Sequence, residues 1–596
     1  MVDLMQRNDA LKTSDRTVFI ARILVAIGQA LALFLLADAA HKPISWPASE
    51  QSVFIPLLLL SVYLPLIVLF GIGQISTRSL ALWAIVAGVV IAGLGYHATT
   101  RGQVPASSGL TFLSMGLALT ASLFIAHAIF VDSIIEWRLL PPYPRHFDTA
   151  WKQGVQACLA FIFVGVFWGV LGLGAGLFKL LDIDFFWRLI ANLWFALPAT
   201  TLAFAVSVHV TDIQPALIRG ARSLALSLFS WLLPLLTTII LGFLGSLPFI
   251  SMAPLWRTHF ATTLLLTAAG LLIFFINCCY QGGAAEQTPS KVKRFATTIA
   301  ALELLPLVAL AAWALSLRVG QYGWTVQRIT AAAVVVVAIC YAVGYASAVV
   351  RSTVWMKRIE VTNFLTAYVI VGVVLALYSP VADPSRLMVA NQLDRLMSGK
   401  VHPDVFDFAA LKYDGARWGA TALSQLSQIK DVPDAEVINK RSAEAISSQN
   451  RLLAQHHAIL DKPEKAAERI LVYPAGRALP ANFFDGGAMA MSGSTLPVCL
   501  TPAFPKCVVR FVVLSPGGPE SILFIDKYWT FLVEQDAQGA WRKTADITGP
   551  ATCESLRQGL AQQDLKLEAH TWPDLVVSGQ RLTITPMPGS CLPHVP

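Results

Sequence analysis

Residues 53–131 read VFIPLLLLSVYLPLIVLFGIGQISTRSLALWAIVAGVVIAGLGYHATTRGQVPASSGLTFLSMGLALTASLFIAHAIFV, and the only formal charges among them are Arg78 and Arg101. Soluble chains carry about 25% charged residues, so the solvent of this stretch is lipid. The rest of the chain leans the same way, since 55% of its 596 residues are hydrophobic and 13% charged. A bilayer core is crossed by about 20 apolar residues rising 1.5 Å each. By that measure eleven spans follow: Val18 to Ala37, Val53 to Gly71, Leu80 to Tyr96, Gly109 to Val131, Ala150 to Phe178, Leu189 to Val210, Leu224 to Leu247, His259 to Cys278, Ala296 to Leu317, Val326 to Val350 and Val361 to Tyr378. The seventh contains Pro234 and is followed by Pro248, which leaves open one kinked helix or two half-helices.

The formal charge of +8 resolves into two parts. From Pro380 onward there are 21 Lys+Arg against 22 Asp+Glu; the preceding part has 23 against 14. The surplus therefore belongs to short loops between spans, where it reports insertion direction rather than a nucleic-acid partner. With the N-terminus inside, the inner segments carry Arg7, Lys12, Arg16, Arg78, Arg138, Arg145, Lys152, Arg219, Arg222, Lys291, Lys293, Arg294, Arg351, Lys357 and Arg358. The outer loops carry Lys42, Arg101, Lys179, Arg188, Arg257 and Arg318. Basic residues near the ends of spans favour the cytoplasmic side, and an odd number of spans then places the C-terminal part outside. The expected location is the inner membrane of a Gram-negative bacterium, with the C-terminal part in the periplasm. Arg7 to Arg16, the apolar run and Ala37-Asp38-Ala39 also imitate a cleaved leader. The run is longer than the usual 7–15 residues of such leaders, which favours an uncleaved anchor.

Cysteine placement agrees with that sidedness. Cys158, Cys278, Cys279 and Cys340 fall in or at the end of apolar spans, where a thiol serves as a small hydrophobe. Cys499, Cys507, Cys553 and Cys591 all follow the spans, and an even number in an oxidising compartment reads as two disulfides. Among three connectivities, Cys499 with Cys507 and Cys553 with Cys591 is the expectation. The α-helical polytopic membrane domain thus covers 1–378 and precedes an extracytoplasmic α+β part. Helical periodicity marks Pro384 to Ser398, Pro403 to Lys412, Ala416 to Lys430 and Asp434 to Leu460, a helical linker over 379–465. From Ile470 short β-branched runs take over, at Cys507 to Leu514, Ser521 to Val533, Lys566 to Glu568 and Arg581 to Thr585. Pro516-Gly517-Gly518-Pro519 and Gln538-Gly539 separate them, so 466–596 is expected to be a small β-rich, disulfide-stapled cap.

Four stretches carry a family resemblance. They are Pro254-Leu255-Trp256, the NCCYQGG of Asn277 to Gly283, the YGWTVQR of Tyr322 to Arg328, and the DPSRLMVANQLDRLMSGKVHPDVFDFAALKYDGARWG of Asp383 to Gly419. Over roughly residues 130–430 the chain resembles a bacterial family catalogued only as a domain of unknown function, number 4153. The resemblance implies a polytopic inner-membrane protein and supplies no activity.

The sequence has no G-x-x-x-x-G-K-[ST], H-E-x-x-H, G-x-S-x-G or Rossmann glycine pattern, which argues against an ATPase or a zincin; neither cofactor nor metal is expected. Polar residues inside spans weigh more, because an ionisable group in hydrocarbon costs about 2.5–3.5 kcal/mol on insertion scales. Glu303, in the ninth span and followed by Pro306, is either a proton or cation site or a protonated or paired structural acid. Arg328 enters the tenth span beside Tyr322 and Trp324, an interfacial group that either snorkels or contacts an anion or lipid headgroup. Arg22 and Gln29 share one face of the first span. His127 and His209, near span ends, read as structural imidazoles, and His456-His457 as a solvated helix face. Glycines 165, 169, 172 and 176 form small-x-x-x-small pairs that permit close helix approach.

Three functions remain open. The first is a non-catalytic anchor whose outer domain senses or binds an envelope partner. The second is a transporter or lipid flippase using Glu303 and Arg328. The third is a transferase acting on a lipid-linked substrate, for which Asp182, Asp184 and Asp383 are available although they read more simply as loop or capping residues.

Overall fold

The structure is a computed structural model. It describes residues 15–547 apart from 42, 103–108, 250–260, 284–288, 352–353, 449–450, 452–467, 475, 481, 484–496, 501–505, 515–519, 527–529 and 537–538, together with 575–577 and 580–582. Arg7, Lys12, Lys42, Pro254-Leu255-Trp256, Arg257, the start of the eighth span at His259, His456-His457, Pro516 to Pro519, Cys553, Lys566 to Glu568 and Cys591 lie outside the described residues. The chain divides into two compact units, Met1–Arg395 with Gly415–Gly419, and Leu396–Asp414 with Ala420–Pro596.

In the first unit, eleven helices of the described residues are long and apolar enough to cross a membrane. They are α1 (Asp15–Ala39), α2 (Gln51–Gly71), α3 (Thr77–Thr100), α4 (Gly109–Glu136), α5 (Tyr143–Lys179), α7 (Leu193–Ile213), α8 (Pro215–Ser246), α9 (Ala261–Tyr280), α10 (Lys291–Tyr322), α11 (Val326–Arg351) and α12 (Arg358–Leu377), with the short α6 (Phe185–Ala191) between α5 and α7. Hydrocarbon offers no partner to a backbone N–H or C=O, so each span must satisfy its own backbone as a helix. Successive spans alternate in direction. The end of the bundle where α1 starts and α2 stops is called here the near end, and the opposite one the far end. In the interior, Ala300, Ala301, Leu304, Leu307 and Ala311 of α10 are buried in one cluster with Leu233 of α8, Leu272 and Ile276 of α9 and Tyr345 of α11.

The seventh span is one continuous helix through Pro234. Proline lacks the N–H that would bond the carbonyl four residues earlier. That carbonyl belongs to Ser230, and the Cys279 thiol of α9 donates to it at 3.5 Å. Pro65 in α2 frees Ser61 in the same way, and Gln29 Nε2 of α1 donates to the Ser61 carbonyl at 3.2 Å and to that of Val62 at 3.3 Å. Neighbouring helices thus supply the partners that the prolines remove. The glycines of α5 form no packing seam with the described residues: a side chain built at Gly165, Gly169, Gly172 or Gly176 would meet nothing among them within 4 Å.

The second helical stretch begins with α13 (Pro384–Met397), followed by a 3₁₀ turn at Pro403–Val405, α14 (Phe408–Asp414), α15 (Ala416–Leu426) and α16 (Ala435–Ser447). A five-stranded sheet follows in the order β1 (Ile470–Tyr473), β2 (Cys507–Val513), β3 (Glu520–Ile525), β4 (Thr530–Gln535), β5 (Trp541–Asp546). β1 pairs parallel with β2, and the other neighbours are antiparallel. The run expected over Ser521 to Val533 is two strands of a hairpin, with Phe524 stacked on its cross-strand partner Phe531 at 4.9 Å. β5 carries Arg542, Lys543 and Asp546 on an edge and so lacks the apolar run that announces a strand. β6 (Leu575–Val577) and β7 (Gln580–Leu582) form a separate two-stranded ribbon. Cys499 and Cys507 form the expected disulfide, buried against Val509, Phe524 and Trp541.

Candidate functional site

At the near end, Arg22 lies one to two turns into α1 and is 1% exposed. Its Nη2 donates to Asp212 Oδ2 at 2.9 Å and to the Ile72 carbonyl at 3.1 Å, and its Nη1 lies 3.4 Å from His209 Nδ1. Lys152 of α5 donates to the other oxygen of Asp212 at 2.8 Å. One carboxylate therefore gathers cations from α1 and α5 onto α7. A second carboxylate, Asp132 of α4, is fully buried and accepts from Thr149 Oγ1 at 2.7 Å, with His146 Nδ1 at 2.9 Å. Uncompensated, either charge would cost several kcal/mol in this setting. With these partners the two acids fasten helices together.

The NCCYQGG stretch belongs to the same end. Asn277 donates to the Tyr345 hydroxyl at 2.7 Å, Tyr345 donates to Asn363 Oδ1 at 2.7 Å, and Asn363 donates back to Asn277 Oδ1 at 2.6 Å. This closed ring joins α9, α11 and α12, and Tyr143 of α5 enters it as acceptor from Asn363 at 2.8 Å. Tyr280 donates to Glu360 at 2.9 Å. Gly283 has φ +69°, and a Cβ there would lie 2.6 Å from the Tyr280 hydroxyl, so glycine is required on both grounds.

At the far end the YGWTVQR and DPSRLMVANQLDR stretches form one device. Gly323, at φ +73°, leaves room for Asn391, Gln392 and Arg395 of α13. Asn391 Oδ1 accepts from the Trp324 N–H at 2.9 Å, Gln392 donates to the carbonyls of Tyr322 and Trp324, and Arg395 donates to that of Gln321. Arg328 donates to the Gly323 carbonyl at 2.7 Å and stands over the Tyr322 ring. Asp383 is fully buried, caps Ser385 at 2.8 Å, and holds His97 Nε2 at 2.9 Å and Arg101 Nε at 2.8 Å.

The remaining residues singled out above separate by environment. Gln29 serves the backbone beside Pro65 and does not touch Arg22. His127 accepts from Trp83 Nε1 at 3.0 Å. Asp184 pairs loosely with Lys179 at 3.8 Å in the far-end turn. Glu303 is different: it is 4% exposed, and neither carboxyl oxygen has a hydrogen-bond partner. Among the described residues it is the one buried Asp, Glu, Lys, Arg or His with every polar atom unpartnered. The described residues contain no cluster of three His, Cys, Asp or Glu side chains able to hold a metal.

The sheet carries a cleft of about 430 Å³ lined by Arg477, Pro480, Phe511, Glu520, Glu534 and Trp541 among others. Arg477 grips Glu520 with both Nη atoms, one at 2.7 Å, and lies 3.9 Å over the Phe511 ring. Glu534 accepts from Ser521 at 2.6 Å. Trp541 is fixed by its indole N–H to Asn482. Aromatic faces and positioned charges thus share one opening.

Sequence reasoning missed Asp132, Asp212, Asn363 and Tyr345. An arginine inside a span calls for a buried counter-charge, but Asp212 is 190 residues away, and only the packed helices select it.

Eleven spans cross-linked at their ends, with an appended sheet, define a polytopic helical membrane protein carrying an α+β domain. Within that class the chain belongs to the family described as Domain of unknown function (DUF4153), whose model matches residues 54–417. The match starts earlier than the motifs alone indicated, and covers α3 to α12 whole. No curated protein and no solved structure matches the chain.

Proposed function

We propose that the protein is a non-catalytic inner-membrane anchor for an extracytoplasmic binding domain, with its N-terminus in the cytoplasm and 379–596 in the periplasm. Within that part, 379–465 is the helical linker and 466–596 the cap. The observation that carries this reading is the cleft of the sheet. Its charged side chains, Arg477, Glu520 and Glu534, leave one negative charge in excess beside Phe511 and Trp541. Such a lining suits a ligand that presents a cationic group next to apolar surface. In the bundle, by contrast, the motif residues hold helices and turns to one another. The disulfide Cys499–Cys507 and the basic residues of the near-end loops both support the assigned sidedness.

The test is photocrosslinking in intact cells with the full chain carrying benzoylphenylalanine at Pro480. A discrete envelope adduct is expected, weakened by Glu534→Gln and by raised salt. No adduct, or one indifferent to Glu534→Gln, overturns the reading.

A second reading, proton-coupled transport, rests on Glu303. Both carboxyl oxygens of Glu303 lack a hydrogen-bond partner among the described residues, and an ionised carboxylate there is strongly disfavoured unless the surrounding helices admit a partner or water. Proton-coupled uptake in proteoliposomes that persists unchanged in Glu303→Gln removes this reading.

A further inference from the structure

An apolar slot of about 550 Å³ lies between the last turns of α3 and the end of α12. Val89, Gly93 and His97 line one wall at helical spacing, and Gly372, Ala376 and Ser379 the other. Two features make it a slot rather than a seam. A side chain built at Gly93 or at Gly372 would meet nothing within 4 Å among the described residues, so the glycines leave space that none of the described helices fills. Val89 is 69% exposed, so the slot opens sideways, toward the bilayer.

The far end of the slot is polar. His97 closes it, 5% exposed and fixed on the fully buried Asp383, whose charge Arg101 compensates. Arg386 follows at the rim, its guanidinium exposed and donating to the carbonyl of Val381, a lining residue. The balance of Asp383, Arg101 and Arg386 is one positive charge where hydrocarbon gives way to headgroups. A membrane-spanning surface is bathed in acyl chains, and an apolar slot of this size falls within the roughly 300–1,000 Å³ of ligand sites. Basic residues at a lipid surface favour anionic headgroups.

We infer that the slot between α3 and α12 holds one acyl chain of an anionic phospholipid, its phosphate placed at Arg386. Leucine at position 93 or 372 would occupy the room the chain needs, and removal of Arg386 would take away the headgroup contact while leaving the slot.

The test uses the full chain in nanodiscs containing phosphatidylglycerol, or in a second arm phosphatidylcholine, each with a diazirine near the end of one acyl chain. Irradiation is followed by peptide mapping. Adducts are expected to concentrate in 89–97 and 372–381 with the phosphatidylglycerol probe. Gly93→Leu and Gly372→Leu should abolish them. Arg386→Ala, on an exposed side chain whose loss leaves the helices intact, should lower them about fivefold with phosphatidylglycerol and leave the phosphatidylcholine signal unchanged. Labelling spread evenly over lipid-facing positions such as Phe161 and Val170 of α5 would show ordinary boundary lipid and overturn the inference. Equal labelling by both probes, or labelling indifferent to the glycine substitutions, would do the same.

Discussion

Arg22 near the start of α1 and Glu303 inside α10 are both ionisable side chains buried in a membrane-spanning helix, 1% and 4% exposed. Arg22 is met by Asp212, His209 and the Ile72 carbonyl; among the described residues neither oxygen of Glu303 has a hydrogen-bond partner. A satisfied charge that joins three helices is part of the scaffold. An unsatisfied acid in the best-packed helix contributes nothing to the scaffold that leucine could not. Burial alone does not separate the two cases, whereas the partner set does.

Substitutions at the two sites have different expected costs. Asp212→Ala would leave Arg22 as an enclosed charge and is expected to cost about 3–5 kcal/mol, read as thermal stability in detergent; the double change Arg22→Met with Asp212→Leu should recover most of it. A small loss in Asp212→Ala would mean that Arg22 reaches water. Next in size is the ring at the near end: Asn363→Leu strands Tyr345 and Asn277, for an expected loss of about 1–3 kcal/mol.

Gln29→Leu should cost about 0.6 kcal/mol, the average of such interhelical bonds in membranes. In a Pro65→Ala background, where Ser61 regains its helical partner, that penalty should vanish; a cycle with no coupling would refute the rescue of the proline-freed carbonyl. Glu303→Met is expected to be neutral or stabilising, since an unpartnered polar group is replaced by an apolar one of similar length. A loss of more than about 1 kcal/mol, the size of a typical hydrogen bond, would show that Glu303 has a partner after all.

These pairs also show what the sequence could reveal. The spans were legible because hydropathy is a local property, and the charge desert from Val53 to Val131 needs no partner to be read. The disulfide was legible because Cys499 and Cys507 are eight residues apart. Gln29 was visible as polar but not as a proline's companion, because Ser61 lies on a different helix. Pro234 left one helix or two undecided, and Cys279, which takes the freed carbonyl, looked like a small hydrophobe. Asp383 was readable as a cap, which it is, but its burial against His97 depends on residues 286 apart. The family motifs read as signatures before their work was known. The structure gives them that work, in the Asn277–Tyr345–Asn363 ring and in the clamp of α13 on the turn at Gly323.

The central claim is that the bundle is an anchor and that the part after it faces the periplasm. Its most direct measurement is the enzymatic activity of alkaline phosphatase, which folds only in an oxidising compartment, fused after Pro596 of the full chain in growing cells. High activity is the result this account expects. An inactive fusion, paired with bright fluorescence from a cytoplasm-dependent fluorescent protein at the same position, would contradict it.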